Sequence, residues 1–141
     1  MIEITLTDPL VSISIPLVAP TLNDWYGGRH WRHRNIVART WHKAVWVEVK
    51  NNRIGPIGKK HFPVMITTRT TFPLRARKRD TSNCFSANKL AEDALVAAKV
   101  LPDDTPKYVG VHIVLPSIYG DRERPEGVTE VRIYKVMEGI S

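Results

Sequence analysis

Cysteine is all but absent: Cys84 stands alone in 141 residues, which excludes an intramolecular disulfide and leaves packing and hydrogen bonds to hold the fold. Long apolar runs are missing too. A spanning helix needs roughly 20 consecutive apolar residues, and no stretch approaches that, nor does the sequence show the basic-then-apolar pattern of a secretory signal. A soluble, intracellular protein with no membrane partner is therefore expected. Internal repeats and low-complexity tracts are lacking as well. Acidic residues are the scarcer charge, 14 Asp and Glu against 21 Lys and Arg, and the net charge of +7 favours a polyanionic partner.

A chain of this length can bury a real core as one domain, expected over residues 1–141 with the core at about 11–137. Val11, Ile13, Ile15 and Leu17 alternate with Ser12, Ser14 and Pro16, which predicts a half-buried strand, and the proline places it at a sheet edge or a strand end. From Pro20 to Asn35 the breakers Asn23, Asp24, Gly27 and Gly28 predict a loop, in which Arg29, His30, Arg32, His33 and Arg34 mingle with Trp25, Tyr26 and Trp31. Such a loop suits a phosphate backbone with its sugars and bases, or else it is a solvated turn whose aromatics plug the core. Ile36, Val37, Trp41, Ala44, Val45 and Val49 recur at helical spacing and predict a helix from Asn35 to about Lys50.

After a loop marked by Gly55, Pro56 and Gly58, the β-branched run Val64 to Phe72 predicts a strand. Its end delivers the basic segment Arg75 to Arg79, then Asp80, to the mouth of a sheet. The stripe Ala87, Leu90, Ala91, Ala94, Leu95 and Ala98 predicts a second helix, about Phe85 to Lys99, packed closely on that sheet. Two more strands follow, one alternating at Val109, Val111, Ile113 and Leu115, the other at Val131, Ile133 and Met137. Between them the polar segment Ser117 to Thr129 reads as a hairpin connection carrying Arg122 and Arg124 outward. The order β, α, β, α, β, β implies an α+β domain, a mixed sheet packed with about two helices.

Two acidic stations flank the second helix, Asp80 before it and the pair Asp103 and Asp104 after it. If the helix folds back against the sheet, these carboxylates can converge on one divalent ion, and hard oxygen ligands are what Mg²⁺ requires. The neighbouring Arg77, Lys78 and Arg79 make phosphate the natural object of that ion. Lys89 and Asp93 share a face of the helix away from the alanine stripe, either as an ordinary surface pair worth roughly a few tenths of a kcal/mol or as part of the site. Each acid alone reads equally well as turn or cap chemistry.

The ordered set Arg79, Asp80, Ser82, Asn83, Lys89, Asp93, Leu95, Asp103 and Asp104 resembles the RusA-like Holliday-junction resolvases, small nucleases of bacteriophages and prophages. That family's pattern is a basic residue, Asp-x-Asp-Asn, a helical lysine, an aspartate one turn on, a leucine and an Asp-Asp pair. Pro20-Thr21-Leu22-Asn23 with Tyr26 is similar to the family's opening segment, and so is the late strand after Gly127. The resemblance covers about Ile13 to Val136, with its specific motif at residues 79–104.

The resemblance implies a metal-dependent endodeoxyribonuclease that resolves Holliday junctions or other branched DNA in recombination and repair. It also implies a homodimer in the bacterial cytoplasm, encoded by a phage or prophage. Asp80, Asp103 and Asp104 would hold Mg²⁺, for which Mn²⁺ can substitute, and Lys89 would face the phosphate, completing the catalytic set. Ser82, Asn83 and Asp93 would support it, and Arg29, Arg32, Arg34, Arg75, Arg77, Lys78 and Arg79 would contact DNA. The chain departs from the family where Ser82 replaces the second aspartate, because a hydroxyl is a far poorer Mg²⁺ ligand than a carboxylate. Water, Asp93 or Glu92 must then make up the loss, or the protein binds branched DNA without cutting it. A rival reading, a single-strand or RNA-binding module stacking bases on Trp25, Trp31, Trp41 and Trp46, is weakened by the place of Trp41 in the helical apolar pattern.

Overall fold

In the computed structural model, which describes residues 8–26, 31–73, 76–120 and 126–136, β1 (Val11–Ile15) buries Val11, Ile13 and Ile15 and exposes the two serines between them. Pro16 closes that strand, and β1 lies at one edge of the sheet. The sheet runs in the order β1, β5 (Val128–Lys135), β2 (Val64–Phe72), β3 (Val109–Val114), with a short β4 (Ile118–Tyr119) beside the far end of β2. β5 is antiparallel to both β1 and β2, whereas β3 and β4 run parallel to β2. The sheet is therefore mixed, and with its helices it makes a single α+β domain.

Two long helices supply the cover. α2 (Trp31–Asn51) packs on β1 and on α3 (Ser86–Ala97), and α3 packs on β2 and β3. Trp41, Val45 and Val49 of α2 meet Ala87, Leu90, Ala91, Ala94 and Leu95 of α3 in one core with Ile13, Ile66 and Ile133 of the sheet. Small alanines let the two helices and the sheet approach closely, so the alanine stripe serves α2 as well as the strands.

Both helices end in the same way. Lys99 has φ 62, Val100 N–H returns to the Leu95 carbonyl at 3.0 Å, and Lys99 N–H returns to Val96 at 3.0 Å. Arg53, with φ 54, repeats this at the end of α2. These are Schellman closures with a non-glycine residue in the left-handed position. The first one turns the chain sharply and buries Val100 and Leu101, which fixes where the following Asp103 and Asp104 emerge. Gly127, with φ +83, is the position where only glycine fits, because a Cβ would lie 2.6 Å from a Val18 methyl.

Two segments depart from the pattern expected of them. The expected loop over 20–35 holds a short helix, α1 (Leu22–Tyr26), and the first turn of α2, which starts at Trp31 rather than Asn35. Thr21 accepts the Asp24 N–H at 3.1 Å as an N-cap, and no Gly or Pro interrupts residues 31–51 to stop the second helix from extending backward. The segment after β3 is not a hairpin connection, because β2 lies between β3 and β5. Arg122, Arg124 and Met137 lie outside the described residues.

Candidate metal centre

α3 presents Lys89 and Asp93 one turn apart, as their spacing predicts, with Nζ to Oδ1 at 3.1 Å. The structure adds two partners. The Lys89 ammonium also lies 3.5 Å from Asp104 Oδ2 and 3.7 Å from Glu92 Oε1, so three carboxylates surround one cation. Among the described residues, Glu92, Asp93 and Asp104 offer ligand oxygens within 4.8 Å of one another. The set is all-oxygen and mixed in exposure, with Glu92 buried, Asp93 half-buried and Asp104 open to solvent. Such donors fit a hard divalent ion that keeps several waters.

The protonation states follow from these contacts. Burial alone would lower the Lys89 ammonium, but its hydrogen bond to Asp93, the charges of Asp93 and Glu92, and its hydrogen bond to Asp104 outweigh that and hold it above its ordinary range. A hydrogen bond with the Asp103 side chain, and then Lys89, hold the Asp104 carboxyl below the usual carboxylate range. At neutral pH the aspartate is ionised and the lysine protonated.

Glu92 is held from beneath. His112, on β3, meets Glu92 Oε2 through Nε2 at 2.6 Å and Asn88 Nδ2 through Nδ1 at 3.2 Å. Asn88 is fully buried, and its Oδ1 accepts the Thr68 hydroxyl, so its amide nitrogen is the end that faces the ring. The imidazole Nδ1 then accepts, and Nε2–H donates to Glu92. A relay of side chains from β2 through α3 to β3 thus fixes the orientation of one carboxylate of the cluster.

Of the three expected metal ligands, only Asp104 belongs to this group. Asp103 turns back, its Oδ1 accepting the Asp104 N–H at 2.8 Å. Asp80 heads a 3₁₀ turn, Thr81–Cys84, with its side chain exposed and making no cap bond. It lines a separate hollow of about 250 Å³ with Thr21, Arg77, Lys78, Arg79 and Asn83. Ser82, on the same turn, is exposed. Asp93 and Glu92, the residues available to offset the loss at Ser82, are the ones found together with Asp104.

The basic residues divide. Arg77 and Lys78 are exposed at the rim of the Asp80 hollow. Arg79, expected on DNA, donates to the Ala19 carbonyl at 2.7 Å and lies 4.8 Å over the Phe72 ring. Tyr119 stacks on that ring and clasps the Arg79 backbone through its hydroxyl, at 2.9 Å to the N–H and 3.0 Å to the carbonyl. Arg79 therefore anchors its segment, leaving its neighbours to reach outward. Arg32 and Arg34 are exposed on the first turn of α2, while Arg29 and Arg75 lie outside the described residues. Sequence reasoning missed Asn88, His112 and Tyr119. A signal existed for the first, a polar residue at a buried helical position beside Ala87 and Ala91.

No helix among the described residues is long and apolar enough to cross a membrane. A scan against protein-family models finds no match. A search of curated proteins likewise returns no relative.

Proposed function

We propose that this protein is a divalent-metal-dependent endodeoxyribonuclease acting on four-way or otherwise branched DNA, a bacterial or phage protein of recombination and repair related to the RusA-like resolvases. One observation carries the reading: three carboxylates from α3 and the loop after it gather around Lys89, within 4.8 Å of one another. Glu92, Asp93 and Asp104 would hold Mg²⁺ or Mn²⁺, replacing the expected set of Asp80, Asp103 and Asp104. The ion, when bound, supplies an activated water and spreads charge on the non-bridging phosphate oxygens.

The chain's own groups do the rest. Lys89, which lies among the three carboxylates, would offer its ammonium to the phosphate as negative charge grows there. His112 keeps the Glu92 carboxylate turned to the cluster, a carboxylate–imidazole support of the kind that tunes metal ligands. Arg77 and Lys78 hold the DNA backbone beside Asp80 without reading sequence. Cutting two opposed strands of a symmetric junction suits a C₂ dimer, and β3 supports it as an edge strand with Val111 37% exposed.

The test is incubation of the purified protein with a labelled four-way junction, with and without Mg²⁺ or Mn²⁺. Metal-dependent nicking of opposed strands is expected. Binding without cleavage at any metal concentration would favour the second reading, a non-cutting junction binder, whose support is that Lys89 already neutralises part of the cluster. Failure to bind branched DNA would dispose of both.

A further inference from the structure

The outer face of α2 has no part in the site described above, yet its charge is ordered. Arg32, Arg39, Lys43 and Lys50 are all exposed. At about 100° per residue, separations of seven, four and seven residues bring the four side chains to within roughly 40° of one line along the helix, over a rise of about 27 Å. The only acid of α2 is Glu48, which is half-buried and bonded to Asn52 rather than to this line. Beside the line Trp46 is 52% exposed, with the Lys50 ammonium 5.7 Å from its ring centroid. A core helix gains nothing in stability from setting Arg39 and Lys43, like charges one turn apart, on one exposed line, where they repel each other.

We infer that this row is a second DNA-binding surface, a track for the sugar–phosphate backbone of one arm of the branched substrate, with Trp46 packing against a sugar or an unstacked base. The inference rests on the DNA reading proposed above and extends it to residues outside the metal centre. Charge complementarity selects the occupant. A strand of duplex presents a phosphate about every 3.4 Å of axis, so a track of some 27 Å passes several of them. A membrane-surface helix has an apolar face toward the lipid with bases at its flanks. Here the bases occupy the centre of the exposed face, and the apolar face of Trp41, Val45 and Val49 is already buried in the core.

The experiment compares wild-type protein with the double variant Arg39→Ala/Lys43→Ala in binding a fluorescent four-way junction, titrated across salt. Both positions are exposed and alanine favours the helix, so folding is expected to be retained, and a thermal melt verifies it. Removing one phosphate-binding side chain should lower the salt slope by about one. Over a fourfold rise in salt, from ~50 to ~200 mM, the variant should lose about tenfold less affinity than wild type. The single variant Lys43→Gln should show about half that change on a logarithmic scale. A slope equal to wild type, in a variant that melts normally, overturns the track while leaving the nuclease reading standing. Wild-type protein that binds no DNA brings down both, and binding to anionic phosphatidylserine vesicles with an unchanged DNA slope would assign the helix to lipid instead.

Discussion

Replacing Lys89 by methionine removes the ammonium that Glu92, Asp93 and Asp104 share, at 3.7, 3.1 and 3.5 Å, while keeping most of its aliphatic length on α3. The two pairs within the helix, with Glu92 and Asp93, are each worth roughly 0.2–1 kcal/mol, so together they contribute about 0.5–2 kcal/mol. A divalent ion entering the cluster must displace that contribution. In the variant it need not, and its affinity should rise by roughly twofold to thirtyfold, the factor that such an energy represents. Isothermal titration with Mn²⁺ reads this directly, and thermal melting adds a second view. Without metal the variant should melt below wild type, since three carboxylates are left to repel one another, and saturating metal should close or reverse the gap. Junction cleavage should nevertheless collapse, because the group offered to the phosphate is gone. Tighter metal with no cutting is an unusual pair of outcomes for one substitution. If metal affinity stays the same or falls, the carboxylates are a salt-bridge cluster closed by lysine, and the metal centre proposed for them is refuted.

Four further outcomes are expected. Asp104→Asn should abolish cleavage in a gel assay yet leave junction binding intact or improved, since one fewer carboxylate repels phosphate; cleavage at the wild-type rate would remove Asp104 from the metal set. Ser82→Asp should leave cleavage at limiting Mg²⁺ unchanged, because Ser82 is exposed on the turn beside the separate Asp80 hollow; a rise would bring that turn to the ion and count against the Glu92, Asp93 and Asp104 set. Asn88→Ala should cost about 2–4 kcal/mol in urea unfolding, because it strands the buried Thr68 hydroxyl and the His112 Nδ1 and leaves a small void; a loss under about 1 kcal/mol would deny the relay its structural role. The pH dependence is set by two opposite shifts. Asp104, depressed, contributes stability above its unfolded value of about 4 that is lost only as pH falls through the lower folded value, and Lys89, raised, contributes below about 10.4 and is lost only above it. Asp104 and Lys89 should thus each keep one charge state across the neutral range, which a carboxyl-carbon NMR titration of Asp104 checks, and an Asp104 midpoint above about 4 would contradict the contacts described.

The fold was legible where one period dominated. Serine alternation marked the start of β1, which ends at Ile15, two residues short of the expected Leu17, and the run Val64–Phe72 marked β2 entire, because β-branched residues fit a pleated, two-sided burial. The alanine stripe marked α3 within two residues. Boundaries at helix ends were less legible, since Lys99 and Arg53 fill the position usually given to glycine. The pairing of β5 between β1 and β2 left no local trace, for a strand's neighbours are chosen by the whole sheet and not by its own pattern.

The site was half legible, and the unexpected place of His112 in it has one structural origin. Lys89, Asp93 and Asp104 could be nominated because spacing along a helix and an acidic turn are local facts. The place of Glu92 among them depends on His112, and strand alternation pointed His112 the wrong way, grouping Val109, Val111 and Ile113 on the buried face. The pairing of β3 with β2 shows why. Val64 is opposite Val109, but Met65 is opposite Val111, so the register slips by one residue at Gly110. A bulge of this kind flips every later side chain to the other face of the sheet. Val109 remains buried, Val111 becomes exposed, and His112 turns in toward α3, where it finds Asn88 and Glu92. Irregularities that re-aim a side chain tend to lie beside functional sites, and this one delivers an imidazole to the one deeply buried carboxylate of the cluster. Without the slip, Val111 would face that helix, and the buried Glu92 would keep Lys89 at 3.7 Å but lose the 2.6 Å contact of the imidazole that helps make its burial tolerable.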